Sequence, residues 1–118
     1  MIFEDKVTGE ILTMKPLQKR IDASSAANFK EHMVGWISEG KQHMVLDLSE
    51  VDFIDSSGLV AIVSVLKMLN PLLGDLVMCS LNETVMSLFR ITRMNRVFQT
   101  FPTREAAIKA LSDMMIPP

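Results

Sequence analysis

The run Asp55-Ser56-Ser57-Gly58 sets two hydroxyls beside a carboxylate, at the point where an acidic connection gives way to an apolar segment. Residues of these types at a helix start have two uses. Asp55, Ser56 or Ser57 can each cap the helix by accepting hydrogen bonds from its first free backbone N–H groups. An exposed serine at such a place can also carry a phosphate, which a helix N-terminus tolerates and which adds about −1.5 to −2 charge at pH 7. Set beside Asp55, that charge changes how the local surface meets a partner. Spacing leaves both uses open, with capping the ordinary one.

Other residues with chemical potential are more scattered. Asp47, Glu50, Asp52 and Asp55 are close in sequence but do not follow the calcium-loop pattern, so a solvated acidic loop is expected rather than a cation site. His32 and His43 are separate and expected at the surface. The single cysteine, Cys79, sits in Leu76-Val77-Met78-Cys79 and reads as a small buried residue. The chain has no Gly-x-Ser-x-Gly elbow, no glycine-rich phosphate loop and no Cys/His metal spacing. The protein alone is therefore expected to catalyse nothing and to need no metal or cofactor.

The elements that must position these residues can be read from periodicity. Residues 2–7 and 11–14 form two short strands joined at Thr8-Gly9-Glu10. Across residues 23–39 the apolar positions Ala26, Phe29, Met33 and Trp36 recur every three or four residues, and Gly40 stops the helix they define. His43-Met44-Val45-Leu46-Asp47-Leu48 is an almost unbroken apolar strand of the kind buried in a parallel sheet. Residues 49–54 then form an acidic connection.

A helix is expected over residues 57–70, ended by Asn70-Pro71 and Gly74. Between Leu59 and Leu69 only Ser64 and Lys67 are polar, so either flanking helices cover it or its outer face is an apolar patch for a partner. Residues 76–79 form the next strand. Asn82 caps a helix with Val85, Leu88, Phe89 and Ile91 on one face, and Arg90 and Arg93 near its C-terminal end suit the helix dipole. Residues 97–101 form a last short strand, and Pro102-Thr103 opens a terminal helix carrying Ala106, Ala107, Ala110 and Leu111. The order ββαβαβαβα predicts an α/β fold with a largely parallel sheet of four or five strands, an N-terminal hairpin and flanking helices.

Composition narrows the function further. The 118 residues, 48% of them hydrophobic, fit one domain spanning residues 1–118 with a real core. Twelve basic against fourteen acidic residues, neither sign gathered in a long block, argue against a nucleic-acid partner, which requires a basic face. The acidic N-terminal stretch does not look like an export signal, and no apolar run approaches the roughly 20 residues that cross a bilayer. With one cysteine and no internal disulfide possible, a cytoplasmic protein with no membrane partner is expected. Ten methionines suit either an adaptable core or an adaptable surface.

The stretch Val45-Leu46-Asp47-Leu48-Ser49-Glu50-Val51-Asp52-Phe53-Ile54-Asp55-Ser56-Ser57-Gly58-Leu59 resembles the signature of the STAS domain, specifically the bacterial anti-sigma factor antagonists. Arg20-Ile21-Asp22-Ala23, the segment from Leu88 to Phe98 and the closing helix extend the resemblance over nearly the whole chain. It implies a partner switch. The unmodified antagonist would bind an anti-sigma factor that is also an ATP-dependent serine kinase, and so free a sigma factor. Phosphorylation of Ser56 would release that grip, and a metal-dependent serine phosphatase would reset it. The resemblance also places Asp22, Asp55, Ser57, Gly58 and Leu59 at the partner-binding surface, with Asp22 near the phosphorylation loop or serving as a helix N-cap. The chain departs from the family in having Lys19-Arg20 where Gly-Glu or Gly-Arg is common.

Two alternatives remain beside this expectation. Some similar domains are non-phosphorylated subunits of transport or signalling assemblies. A response-regulator receiver has a comparable length and build. It would need an acidic pair ending its first strand, whereas Glu4-Asp5 fall inside a strand, and a lysine near its last strand, which this chain lacks.

Overall fold

The computed structural model describes residues 1–115. Strands β1 (Phe3–Thr8) and β2 (Ile11–Pro16) form the expected hairpin, paired antiparallel from Phe3↔Pro16 to Thr8↔Ile11, with Gly9 taking a left-handed φ of +61° at the turn. The remaining strands of the main sheet are β4 (His43–Asp47), β6 (Asp75–Cys79) and β7 (Thr100–Phe101), in the order β1-β2-β4-β6-β7. Every pairing after the hairpin is parallel. This is the mixed α/β sheet that the strand and helix order predicts.

The apolar runs in the central strands exist because both faces of the sheet are covered. Side chains alternate across a strand. Leu12, Met14, Met44, Leu46, Leu76 and Met78 therefore pack on one side with helices α1 (Ala26–Ser38), α2 (Ser56–Leu69) and α3 (Glu83–Ile91), against Phe29, Met33, Ile62, Val65, Val85 and Phe89. Ile11, Val45, Val77 and Cys79 face the other way and meet Ala107 and Leu111 of α4 (Arg104–Met115). Cys79 is buried as its apolar surroundings imply, and burial, followed by the nearby Asp47 charge, pushes its thiol up to about 11. It is an unreactive core residue.

Several local expectations change. Residues 49–54 are not a plain connection: Phe53–Ile54 is a short strand, β5, paired in parallel with β3 (Arg20–Ile21) as a separate two-stranded ribbon. A two-residue pairing is too short to leave a periodic trace. Helix α1 starts at Ala26 rather than Ala23, because residues 22–25 close a turn in which Ser25 and Ala26 donate their N–H groups to the Asp22 carbonyl. The last strand shrinks to Thr100–Phe101, since Met94–Arg96 form a 3-10 turn that leaves Val97 exposed. Ile91, expected on the buried face of α3, is 81% exposed. His43 is half-buried with Nδ1 3.1 Å from Asp75 Oδ2, and half-buried His32 packs against Phe3 and Trp36, so neither ring is free at the surface.

Asp47, which the sequence placed in an acidic loop, ends β4 only 4% exposed. Its Oδ2 accepts from Arg104 Nη2 at 2.8 Å and Nε at 3.2 Å, and its Oδ1 accepts from the Ser49 N–H at 2.9 Å. Burial pushes the carboxyl up, but Arg104 and the Ser49 bonds outweigh it and hold Asp47 below the ordinary carboxylate range. The pair ties α4 to the sheet. A depressed folded-state pKa contributes stability that is present above the unfolded value and is lost as pH falls through the folded one. Asp47→Asn is therefore expected to cost about 2 kcal/mol at pH 7. In urea unfolding, the gap between the variant and the parent should close as pH is lowered through the Asp47 pKa.

Candidate functional site

The parallel strands end at one pole of the sheet, and the chain leaving β4 there passes through β5 into α2. Asp55 is the N-cap of α2, which settles the choice among three candidate caps. Its Oδ1 accepts from the Gly58 N–H at 3.0 Å, while its Oδ2 accepts from the Ala23 N–H at 3.1 Å. One carboxylate thus holds the helix start and fastens it to the loop after β3. Its own N–H donates to the Ile21 carbonyl at 3.3 Å, in continuation of the β3–β5 pairing. Asp55 is committed within the chain, and its task is to fix the position of the residue that follows.

That residue is Ser56, the first residue of α2. It is exposed, and among the described residues its hydroxyl has no hydrogen-bond partner within the chain. Ser57 is half-buried. Among the described residues the Ser56 and Ser57 N–H groups likewise have no acceptor, so the first turn keeps unused donors beside an accessible hydroxyl. Gly58 and Leu59, expected at the partner surface, face inward. A Cβ added at Gly58 would lie 2.4 Å from the Ile21 carbonyl oxygen and 2.8 Å from Ile54 Cγ2, and Leu59 is 9% exposed. Their role is to seat the helix start against the β3–β5 ribbon.

Asp22 lies next to Ala23 and so beside the Ser56 loop, as the resemblance implied. It is not the N-cap of α1, which is Ser25. Asp22 Oδ1 accepts from the Ser24 hydroxyl at 2.6 Å and the Ser24 N–H at 3.0 Å, and Oδ2 accepts from Arg20 Nε at 3.3 Å. The Ser24 hydroxyl above all, opposed by desolvation and helped by Arg20, holds the Asp22 carboxyl below its usual range. A charged Asp22 is part of the loop's own frame at neutral pH.

The outer face of α2 falls between the two expectations. Ala61, Ile62, Val65 and Leu69 are buried, with Ile62 and Val65 under α1 and the sheet, but Val60 is 66% exposed one turn beyond Ser56. Two further features had escaped the sequence. The Arg20 guanidinium stands 4.2 Å over the Phe53 ring, so the unusual Lys19-Arg20 stretch contributes a cation to the site. Phe53, Ile54, Val85, Leu88 and Ile91 also line an apolar groove of about 220 Å³ between β5 and α3. The spacing of Val85, Leu88, Phe89 and Ile91 was legible as one helix stripe, but a stripe does not say whether anything covers it: Val85 and Phe89 are buried, while Leu88 and Ile91 line the groove. Among the described residues there is no cluster of three or more His, Cys, Asp or Glu fit to hold a metal, and no helix is long and apolar enough to cross a membrane.

A strand-end loop that presents a capped helix start, beside a hairpin-led parallel sheet, is the arrangement of one known class of domain. The STAS domain family model matches residues 3–107, and the chain belongs to that family. It is 31% identical over 106 residues, covering 90% of each chain, to a Bordetella bronchiseptica protein provisionally named anti-sigma factor antagonist BtrV. The crystal structure of a Thermotoga maritima protein, also provisionally named as an anti-sigma factor antagonist, superposes with a TM-score of 0.88 at 26% identity, over 93% of this chain and 94% of that one. The Bacillus cell fate determinant SpoIIAA, solved in its phosphorylated form, shares the fold with a TM-score of 0.70 at 19% identity, over 93% and 99% of the two chains.

Proposed function

We propose that this chain is an anti-sigma factor antagonist that binds an anti-sigma factor in its unmodified form and is released when that partner, acting as a serine kinase, phosphorylates Ser56. The observation that carries the proposal is the exposed, unbonded Ser56 hydroxyl at the start of a helix whose position Asp55 fixes. The relatives' names supply the class of partner. A metal-dependent serine phosphatase returns the protein to its binding form. The chain itself does no chemistry, needs no cofactor, and acts in the cytoplasm through protein contacts alone.

The geometry also favours a switch that acts on binding and leaves the fold intact. A phosphate at the first position of α2 meets the positive end of the helix dipole and two unused N–H donors, both of which favour an anion. The test is direct. After incubation with ATP and an anti-sigma factor kinase that binds the protein, mass spectrometry should place one phosphate on Ser56 and none on Ser56→Ala. The ester should survive acid and hydroxylamine. Phosphate on Ser57, or an acyl phosphate on an aspartate, would overturn the assignment.

A further inference from the structure

β1 is the outer strand of the sheet, and every residue from Glu4 to Thr8 is exposed. The Leu17 N–H donates to the Ile2 carbonyl at 2.8 Å, which fixes the alternation of the ladder. Ile2, Glu4, Lys6 and Thr8 turn their backbone groups to β2, in agreement with Pro16, which has no N–H, standing opposite Phe3. Phe3, Asp5 and Val7 turn theirs outward, where no strand among the described residues receives them. Such a row of unpaired donors and acceptors is a template for one more strand.

Beside this edge is a cavity of about 460 Å³ on one face of α1, lined by Asn28, Glu31, His32, Gly35, Trp36 and Glu39. It adjoins β1 because the Phe3 ring packs on His32 and Trp36, with centroids 4.9 and 5.2 Å apart. Asp5, two residues on, shares that side of the sheet with Phe3. The charge here has one sign. Asp5, Glu31 and Glu39 are exposed and, among the described residues, in no ion pair, and no lysine or arginine lines the cavity. The Met1 ammonium donates to Asn28 Oδ1 at 2.6 Å and pairs with neither glutamate. A Cβ at Gly35 would meet nothing within 4 Å, so a glycine that weakens the middle of the helix leaves the cavity open.

A second copy of β1 is poorly matched to this edge. Pairing outward residues with outward residues antiparallel puts the two-fold axis on a residue. At the three central positions, that sets Glu4, Asp5 or Lys6 against its own kind. A strand whose basic side chains face α1 is matched in charge, and Trp36 offers its ring to a cation.

We propose that β1 accepts an added strand from a protein partner, an extended segment with a basic residue at every second position, whose basic side chains enter the α1 cavity between Glu31 and Glu39. No residue of this surface belongs to the Ser56 loop or to α2, so it is a docking surface independent of the switch.

Trp36, the one tryptophan of the chain, reports binding by its fluorescence. A short peptide alternating arginine and valine should change its emission in a saturable way, and the same peptide with glutamate for arginine should bind at least about tenfold more weakly. Two analogues, methylated on the arginine or on the valine backbone nitrogens, cover both strand directions, and one of them should fail to bind. The double variant Glu31→Gln, Glu39→Gln and, separately, Gly35→Leu, which fills the cavity from an exposed position, should each weaken the arginine peptide at least about fivefold. Amide exchange followed by NMR locates the strand. In the free protein the Phe3, Asp5 and Val7 amides should exchange faster than those of Glu4 and Lys6, and bound peptide should slow them at least about tenfold. Equal binding of the glutamate peptide, full binding of both methylated analogues, unchanged affinity in either variant, or no protection at Phe3, Asp5 and Val7 would overturn the proposal. So would protection that grows with protein concentration in the absence of peptide, which would assign the edge to a second copy.

Discussion

Phosphorylated on Ser56, the protein is expected to bind its anti-sigma factor at least a hundredfold more weakly than the unmodified form, with no loss of its own stability. A docked partner must cover the exposed hydroxyl, and a phosphate there brings about two negative charges beside Asp55, whose oxygens are already committed to Gly58 and Ala23. Burying such a charge without a counter-ion costs several kcal/mol, while about 2.7 kcal/mol already amounts to a hundredfold. Calorimetric titration of the partner into phosphorylated and unmodified protein reads the effect. Ser56→Ala should bind like the unmodified form and stay bound in the presence of ATP. Ser56→Asp should bind weakly, although one carboxylate has less charge and fewer acceptors than a phosphate. Thermal unfolding of the phosphorylated form should be unchanged or slightly raised, because the helix start accepts an anion. A phosphorylated protein that kept its affinity, or lost it only by unfolding, would refute the mechanism.

Gly58→Ala is expected to be among the most damaging single-methyl changes in the molecule, costing about 2–3 kcal/mol of stability. The added Cβ would come within 2.4 Å of a backbone oxygen, that of Ile21, and no rotamer change relieves a clash with backbone. The first turn of α2 would have to lift from the β3–β5 ribbon, which also stretches the Asp55 bonds to Gly58 and Ala23. Chemical denaturation measures the loss. The same displacement moves Ser56, so phosphorylation by the partner kinase should slow even at temperatures where the variant is fully folded. Gly35→Ala is the control: its Cβ would meet nothing within 4 Å, and in mid-helix it should be neutral or stabilising. A Gly58→Ala protein as stable as its parent would mean that the helix start is not held as tightly as its contacts imply.

The architecture was legible because its determinants are periodic. Short apolar runs at β2, β4 and β6, helical spacing in α1, α2 and α3, and the Asn82 cap all act within a few residues of one another. The order of strands and helices then limits the topology to a parallel sheet with an N-terminal hairpin. The run from Asp55 to Gly58 was legible as a helix start for the same local reason.

What the sequence determined by itself is therefore the class of fold, the place of Ser56 at the opening of α2, and the burial of Cys79. It left the cap unassigned, because Asp55, Ser56 and Ser57 have the same short-range capacity to accept hydrogen bonds. The tertiary structure chose Asp55, since only its carboxylate reaches both Gly58 and the Ala23 N–H, 32 residues away in the chain. The β3–β5 ribbon and the Asp47–Arg104 pair, separated by 57 residues, were likewise decided by approach in space. So was the fate of the apolar stripe on α3. Periodicity records which side chains share a face, whereas burial depends on whether another element arrives to cover it, and among the described residues none does over Ile91.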